Sequence, residues 1–270
     1  MIKFFVEKEN IAGNAVYIDD RDDVKHLVKV LRAKEGDKVF ISDKTEWEYE
    51  TEIEVISKDE VKLRIVDKQK MATEPVTKVT LYQGIPKGSK MESIIQKCVE
   101  LGIEAVVPVF MERTVVTDNG SFHKKIERWQ KISDEAVKQC KRGRIPEVFE
   151  PLNFDEMLGE IAKGDYSLVL LPYENEDCRT VKDALREYTY RAGKHAASGH
   201  NDKIAVIIGP EGGFDDREIE KTKSVLGYSE NKGASGSHPK LEIVSLGKTV
   251  LRTETAGPTA LAMVMYELEL

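Results

Sequence analysis

The stretch Ile204-Ala205-Val206-Ile207-Ile208-Gly209-Pro210-Glu211-Gly212-Gly213-Phe214-Asp215-Asp216-Arg217-Glu218 reads as strand, tight turn and helix. Its first five residues are all apolar, which suits a strand buried on both faces. Three glycines and a proline follow, making a turn where backbone can approach a ligand closely. A helix then begins at Asp215. Strand, turn and helix form the unit of a parallel sheet, and the same alternation spreads outward from it. Further strands are expected at Val79–Gln83, Ala105–Phe110, Ser167–Leu171 and Leu241–Ser245. Helices are expected at Ser89–Leu101, Phe122–Lys141, Phe154–Lys163, Cys178–Arg191, Asp215–Leu226 and Thr259–Leu268. In the first of these, Met91, Ile94, Ile95 and Cys98 share one face. The expected fold class is α/β, with a parallel sheet covered on both faces. A ligand then belongs outside the carboxyl ends of the strands.

The first ~70 residues read differently, as short strands with one helix. Lys38–Ser42, Glu50–Ile56 and Glu60–Val66 alternate or run apolar between turn-forming residues. Ahead of them, Asp22–Arg32 places Val24, Leu27, Val28 and Leu31 on one helix face. A small barrel-like unit is expected, followed by a polar linker over Asp67–Thr77. The boundaries expected are 1–72 and 76–270. Gly193–Asp202 and Ser229–Pro239 read as surface loops.

Of 270 residues, 40% are hydrophobic and 33% charged, the balance of a globular chain. No apolar run approaches the ~18 residues of a membrane span. Met1-Ile2-Lys3-Phe4-Phe5-Val6-Glu7 meets acid too soon for a signal peptide. Cys98, Cys140 and Cys178 lie far apart and cannot all pair, so reduced thiols in a cytoplasmic protein are expected. The net charge of −7 argues against binding nucleic acid through bulk positive charge. A local patch is still available. Between Lys124 and Arg144, eight cations face three acids, a net +5. That run suits either a solvated helix face or a phosphate-binding surface.

Several motifs are excluded by spacing. Gly247-Lys248-Thr249 resembles the end of a P-loop, but Glu242 stands where its first glycine is required. The turn Gly209–Gly213 lacks the G-x-G-x-x-G spacing of a dinucleotide site. The histidines, His26, His123, His195, His200 and His238, show no zinc spacing, and no metal site is expected. No G-x-S-x-G elbow occurs. A second stretch does carry chemistry: Ser245-Leu246-Gly247-Lys248-Thr249-Val250-Leu251-Arg252-Thr253-Glu254-Thr255-Ala256. It leaves the last apolar strand and enters the C-terminal helix, with Pro258 suited to a first helical turn. Leu251-Arg252 within it looks buried.

Together these residues resemble one family. Gly209-Pro210-Glu211-Gly212-Gly213, followed by Leu246-Gly247-x-x-Val250-Leu251-Arg252-x-Glu254-Thr255-Ala256, is similar to the signature of SPOUT-class methyltransferases. Within that class the chain resembles the RsmE family, which methylates N3 of a uridine in 16S ribosomal RNA. His26-Leu27-x-x-Val30-Leu31-Arg32, Pro86-Lys87-Gly88-x-Lys90 and Gln96-Lys97-x-x-Glu100-Leu101-Gly102 agree in order. Arg113, Arg128-Trp129 and Gln139-Cys140-x-Arg142 continue the match. The resemblance covers essentially the whole chain. Its departure is the long polar stretch Ser229–Lys240.

The resemblance implies a PUA-like, RNA-binding β-barrel over 1–72 and a SPOUT domain with a trefoil knot over 76–270. It implies S-adenosylmethionine as cofactor and a homodimer whose active site borders the partner subunit. The partner expected is 16S ribosomal RNA within the 30S subunit, with no membrane contact. Leu171, Pro172, Tyr173, Gly209, Pro210, Glu211, Gly212 and Gly213 are expected to hold the cofactor. Leu246, Gly247, Val250, Leu251, Thr255 and Ala256 join them, with Gly212 expected at positive φ. Arg252 would stabilise negative charge on the base, and Glu254 would orient it or accept a hydrogen bond. His26, Arg32, Lys87, Lys90, Lys97, Arg113, Arg128, Gln139 and Arg142 are expected to meet RNA. The alternatives are a SPOUT enzyme acting on a ribose 2′-hydroxyl or another base, and a non-catalytic ribosomal-RNA-binding assembly factor.

Overall fold

A computed structural model describes residues 3–118, 120, 122–193, 203–228 and 240–269. Apart from Gly193 the two expected surface loops lie outside the described residues, as does Ser229–Lys240 apart from Lys240. The chain divides into two compact units, Met1–Glu74 with Val137–Ile145, and Pro75–Ala136 with Pro146–Leu270.

The first unit holds β1 (Lys3–Phe5), β2 (Ile11–Ala12), β3 (Ala15–Ile18), α1 (Arg21–Lys25), β4 (Lys38–Ser42), β5 (Trp47–Ile56) and β6 (Val61–Lys70). They form a six-stranded sheet in the order β1-β4-β5-β6-β3-β2. Phe4, Val16, Leu27, Ile41, Ile53 and Leu63 lie in its core. Two expectations are corrected here. Asp67–Lys70 is strand and not linker, pairing as far as Trp47 opposite Lys70. Past Ile65 the strand is exposed on both faces, so no apolar alternation marked it. The expected helix over Asp22–Arg32 is also interrupted. After α1 the chain makes a π-helical turn, His26–Val30, in which Leu31 N–H donates to His26 O at 3.0 Å. Arg32 then turns out of it at φ +53°.

The segment Val137–Ile145 belongs to this unit, held by a carboxylate. Glu74 Oε2 accepts from Arg142 Nη2 at 2.7 Å, and Oε1 from the N–H groups of Gly143 (2.7 Å) and Arg144 (3.1 Å). Arg142 is buried, so the expected RNA contact there is instead a structural one. Its guanidinium faces Glu74 because few other groups can neutralise a buried cation. Glu74→Ala should therefore cost about 3–5 kcal/mol in urea unfolding, since it strips a carboxylate from a buried guanidinium.

The second unit contains β7 (Lys78–Gly84), α2 (Lys90–Glu100), β8 (Ala105–Phe110), α3 (Phe122–Cys140, up to Ala136), β9 (Glu147–Val148) and β10 (Leu152–Asn153). It continues with α4 (Phe154–Lys163), β11 (Leu168–Pro172), α5 (Val181–Gly193), β12 (Lys203–Ile208), α6 (Asp216–Leu226), β13 (Lys240–Val244) and α7 (Thr253–Glu269). Its sheet runs β10-β8-β7-β12-β11-β13, with β9 beside β8, and every pair is parallel. All five expected strands are present, within a residue or two. The two-residue strands β9 and β10 are too short to leave a periodic signal. Leu168–Leu171 and Ile204–Ile208 are buried throughout, as strands with helices on both faces must be.

The start of α7 is the larger correction. It begins at Thr253, six residues before the expected Thr259, and Pro258 lies inside it. The N–H groups of Thr255 and Ala256 both reach Arg252 O at 2.8 Å and open the helix early. Pro258 then removes one bond, the one Glu254 O would accept. Among the described residues, no helix is long and apolar enough to cross a membrane. All three cysteines are free thiols.

Candidate active site

Four parallel strands end at one level. Pro172 pairs with Val244, Ile208 with Gln83, and Leu170 with Val206. A cavity of about 410 Å³ lies beyond these carboxyl ends, where an open α/β sheet binds its ligand. Its walls come from the turns after β11, β12 and β13 and from the first turn of α7. Of the residues expected to hold the cofactor, all but Leu171, Gly212 and Thr255 line it. Leu171 is buried in the sheet, and Gly212 and Thr255 are exposed.

The turn after β12 depends on glycine at two places. Gly213 has φ +67°, and a Cβ there would stand 2.9 Å from Glu174 Oε2. Gly212 does not have positive φ, contrary to expectation, and a Cβ there would meet Arg113 Cβ at 3.0 Å. Gly213 N–H donates to Pro210 O at 3.0 Å and closes the turn. Asp215 then caps α6, and Glu218 returns a carboxylate oxygen to Asp215 N–H at 2.9 Å. Arg113 Nη1 donates to Gly212 O at 2.8 Å, so this expected RNA contact clamps the turn.

Gly84 and Gln83 carry no motif in the sequence, and Thr253 stands there only as part of the polar stretch 245–256. A Cβ on Gly84 would lie 2.6 Å from both Cδ and N of Pro210. Gln83, fully buried, donates from Nε2 to Gly84 O and to Thr253 Oγ1, both at 2.9 Å. Thr253 Oγ1 in turn donates to Gly209 O at 2.7 Å. This chain of bonds fastens the glycine turn to the start of α7. The only local signal was a glutamine and a glycine ending an otherwise suitable strand.

The turn after β13 is anchored from behind. Ser245 N–H donates to Arg179 O at 2.7 Å. The Arg179 side chain reaches Glu242 Oε2 (2.9 Å) and Glu187 Oε2 (2.6 Å), and Lys240 pairs with both acids. Partial burial pushes the Glu187 carboxyl up, but the Arg179 and Lys240 hydrogen bonds outweigh it and bring it down to about 2. These two cations and two acids balance one another behind the turn.

Those groups meet at the mouth. Lys90 Nζ lies 2.8 Å from Glu211 Oε1 and 3.6 Å from Glu254 Oε2. Glu211 Oε1 also accepts from Lys87 N–H at 3.0 Å. Partial burial alone would raise the Glu211 carboxyl; the bonds from Lys90 and from backbone N–H groups hold it below the usual range. Glu254 Oε2 is buried and receives no hydrogen bond. Arg252 is exposed, contrary to the expected buried Leu-Arg pair, and Leu251 is half-buried. Among the described residues the Arg252 guanidinium lines the cavity with no hydrogen bond or ion pair. A free guanidinium beside a buried acceptor can bind an anionic or carbonyl-bearing ring edge.

The other residues expected to meet RNA are scattered. Arg32, Lys87, Lys97 and Gln139 are exposed; Arg128 is exposed and paired with Glu92 at 2.8 Å. His26 is half-buried, its ring 5.9 Å from that of Phe4. Within the +5 run, Lys138 pairs with Asp23 at 3.6 Å and Arg144 Nε donates to Thr45 O at 2.8 Å. Lys124, Lys131 and Lys141 remain exposed. Arg128, Lys138, Arg142 and Arg144, half of the run's eight cations, are thus already partnered.

Comparison with known proteins gives consistent matches. A family model described as RNA methyltransferase domain matches residues 72–265, and one described as RNA methyltransferase PUA domain matches 18–66. The chain is 30% identical to ribosomal RNA small subunit methyltransferase E of Bacillus subtilis, covering 100% of this chain and 98% of that one. It is 32% identical to the Synechocystis protein of the same name, covering 90% of this chain and 71% of that one. A crystal structure of ribosomal RNA small subunit methyltransferase E from Neisseria gonorrhoeae, bound to S-adenosyl methionine, superposes with a TM-score of 0.75. It is 25% identical to this chain, with 98% of this chain and 97% of that one covered.

Proposed function

Because the chain belongs to the ribosomal RNA small subunit methyltransferase E family, we infer that it methylates 16S ribosomal RNA using S-adenosylmethionine. One observation carries the reading: a cavity at the strand ends where glycine turns meet a free arginine and a buried, unbonded carboxylate oxygen. The residues fit the cofactor. The backbone of the turns after β12 and β13 lines the cavity at Gly209–Glu211, Gly213 and Leu246–Gly247, which suits the edge of a planar ring. Glu174 and Asp177 on the wall suit a positively charged ligand. Bound there, the cofactor supplies an electrophilic methyl group on a sulfonium.

The acceptor is read as N3 of a uridine. The chain's main task is then to hold the ring edge in line with the methyl group, and such positioning can supply ~7–11 kcal/mol. Loss of the N3 proton spreads negative charge onto the ring carbonyls, where Arg252 can donate hydrogen bonds. N3 lies on the pairing edge, so the base must be unpaired or flipped out. Lys87, Lys97, Arg32, Arg128, Gln139 and the exposed lysines of the +5 run would hold phosphates. A chain of net charge −7, with half the cations of its basic run already partnered, suits a structured acceptor, the assembled 30S subunit, over arbitrary RNA. A homodimer, a trefoil knot and a cytoplasmic location belong to the same proposal.

Primer extension tests the acceptor. After incubation of 30S subunits with the protein and S-adenosylmethionine, reverse transcriptase should stop at a single uridine of 16S RNA, since N3 methylation blocks pairing. A 2′-O-methyl leaves the pairing edge intact and stops the enzyme chiefly at limiting nucleotide. A methyl on ribose would overturn the assignment. Cofactor binding without any methyl transfer would favour the assembly factor.

A further inference from the structure

We propose that Glu254 accepts the N3 proton of the target uracil, with Lys90 as the positioning residue that holds its carboxylate; this rests on the uridine-N3 reading above. Glu254 lies in the first turn of α7 on the cavity wall. Its Oε2 is shielded from solvent and has no hydrogen-bond partner, with Lys90 Nζ 3.6 Å away. An ionised carboxylate only accepts, and a buried acceptor without a donor is a costly arrangement. A ligand N–H would relieve it.

The other acids of the cavity are less suited. Glu211 already receives Lys90 Nζ and Lys87 N–H on one oxygen. Glu174 stands against Gly213, where it faces the turn. Asp177 is exposed. The remaining charges on the walls are cations, Lys90, Lys248 and Arg252. Lys90 is held by Glu211 and so offers Glu254 charge without filling its lone pair. The edge of uracil runs carbonyl, N–H, carbonyl. The cavity offers an acceptor for the N–H in Glu254 and a donor for a carbonyl in Arg252. Cytosine carries a lone pair at N3 and would set acceptor against acceptor, so the same carboxylate selects uridine.

In the step itself the N3–H bond breaks and its proton moves to Glu254 Oε2. The N3 electron pair forms the bond to the methyl carbon, and the pair of the breaking carbon–sulfur bond remains on sulfur. Glu254, about one-fifth exposed, then releases the proton to water.

Single-turnover methylation of 30S subunits by Glu254→Gln, Glu254→Asp and Lys90→Met tests this between about pH 6 and 10. Glu254→Gln should lower the neutral-pH rate by about 10²–10⁴-fold, with S-adenosylmethionine affinity by calorimetry unchanged. Its residual rate should rise about tenfold per pH unit as uridine ionises unaided. Glu254→Asp should restore part of the loss. Lys90→Met should lower the rate with S-adenosylmethionine affinity unchanged, and Lys90→Arg, which keeps the cation, should restore part of it. A second readout needs no cofactor. Cofactor-free protein should bind 30S subunits carrying the target uridine more tightly than subunits carrying cytidine there, and Glu254→Gln should erase that preference. Undiminished N3 methylation by Glu254→Gln, or an unchanged uridine preference, overturns the proposal. Wild-type protein that leaves uridine N3 unmethylated overturns the functional reading, and this proposal with it.

Discussion

Arg252→Ala is expected to lower turnover by about 10²–10³-fold, the usual loss when one donor to a developing oxyanion is removed. Cofactor affinity should change little, because in the proposed role the guanidinium would act on charge that appears only as the base loses its proton. The structure supports that division of labour. Among the described residues Arg252 lines the cavity with no hydrogen bond or ion pair, whereas Lys90 is held by Glu211. Arg252→Lys should recover only part of the rate, since an ammonium lacks the planar fork. Single-turnover methylation of 30S subunits, with calorimetry for the cofactor, checks both statements. Undiminished turnover in Arg252→Ala would remove this residue from catalysis and leave the family assignment intact.

Gly84→Ala should abolish measurable cofactor binding from a site the substitution never touches directly. The added Cβ would lie 2.6 Å from the ring and nitrogen of Pro210 and 2.9 Å from Gly209 C. Those atoms are backbone or ring and cannot swing aside, so the turn at 209–213 must move. Overpacking of this kind costs about 1–3 kcal/mol in stability. Displacing the turn should weaken S-adenosylmethionine by at least about 100-fold, given how steeply binding depends on placement. Gly159→Ala, within α4, is the control for local effects, because no atom lies within 4 Å of a Cβ there and its φ is an ordinary helical one. Wild-type affinity in a folded Gly84→Ala protein would show that the turn's position does not define the pocket.

The contrast between Gly84 and Gly213 shows how far sequence reading reaches. Gly213 was legible because it lies in a glycine-rich turn directly after an apolar strand. Gly84 looked like the unremarked end of another strand. What makes it necessary is Pro210, brought opposite by the pairing of β7 with β12. The same holds for Gln83 and Thr253, hydrogen-bonded across 170 positions. Charge was misread for a related reason. Arg142 and Arg252 are both arginines in motif-like stretches, yet one is buried against Glu74 and the other is open to the cavity.

Local pattern was enough for the parallel α/β class, the five main strands, the separate β-rich start and the two turns that frame the pocket. Apolar runs and turn residues act over a few neighbours, so those features survive in one dimension. The early start of α7, the positive φ at Gly213 and not at Gly212, and the pairing of Lys90 with Glu211 and Glu254 were decided in three dimensions. Each depends on which strands lie side by side and where their ends fall, and burial and pairing follow from that arrangement, with no trace in the local sequence.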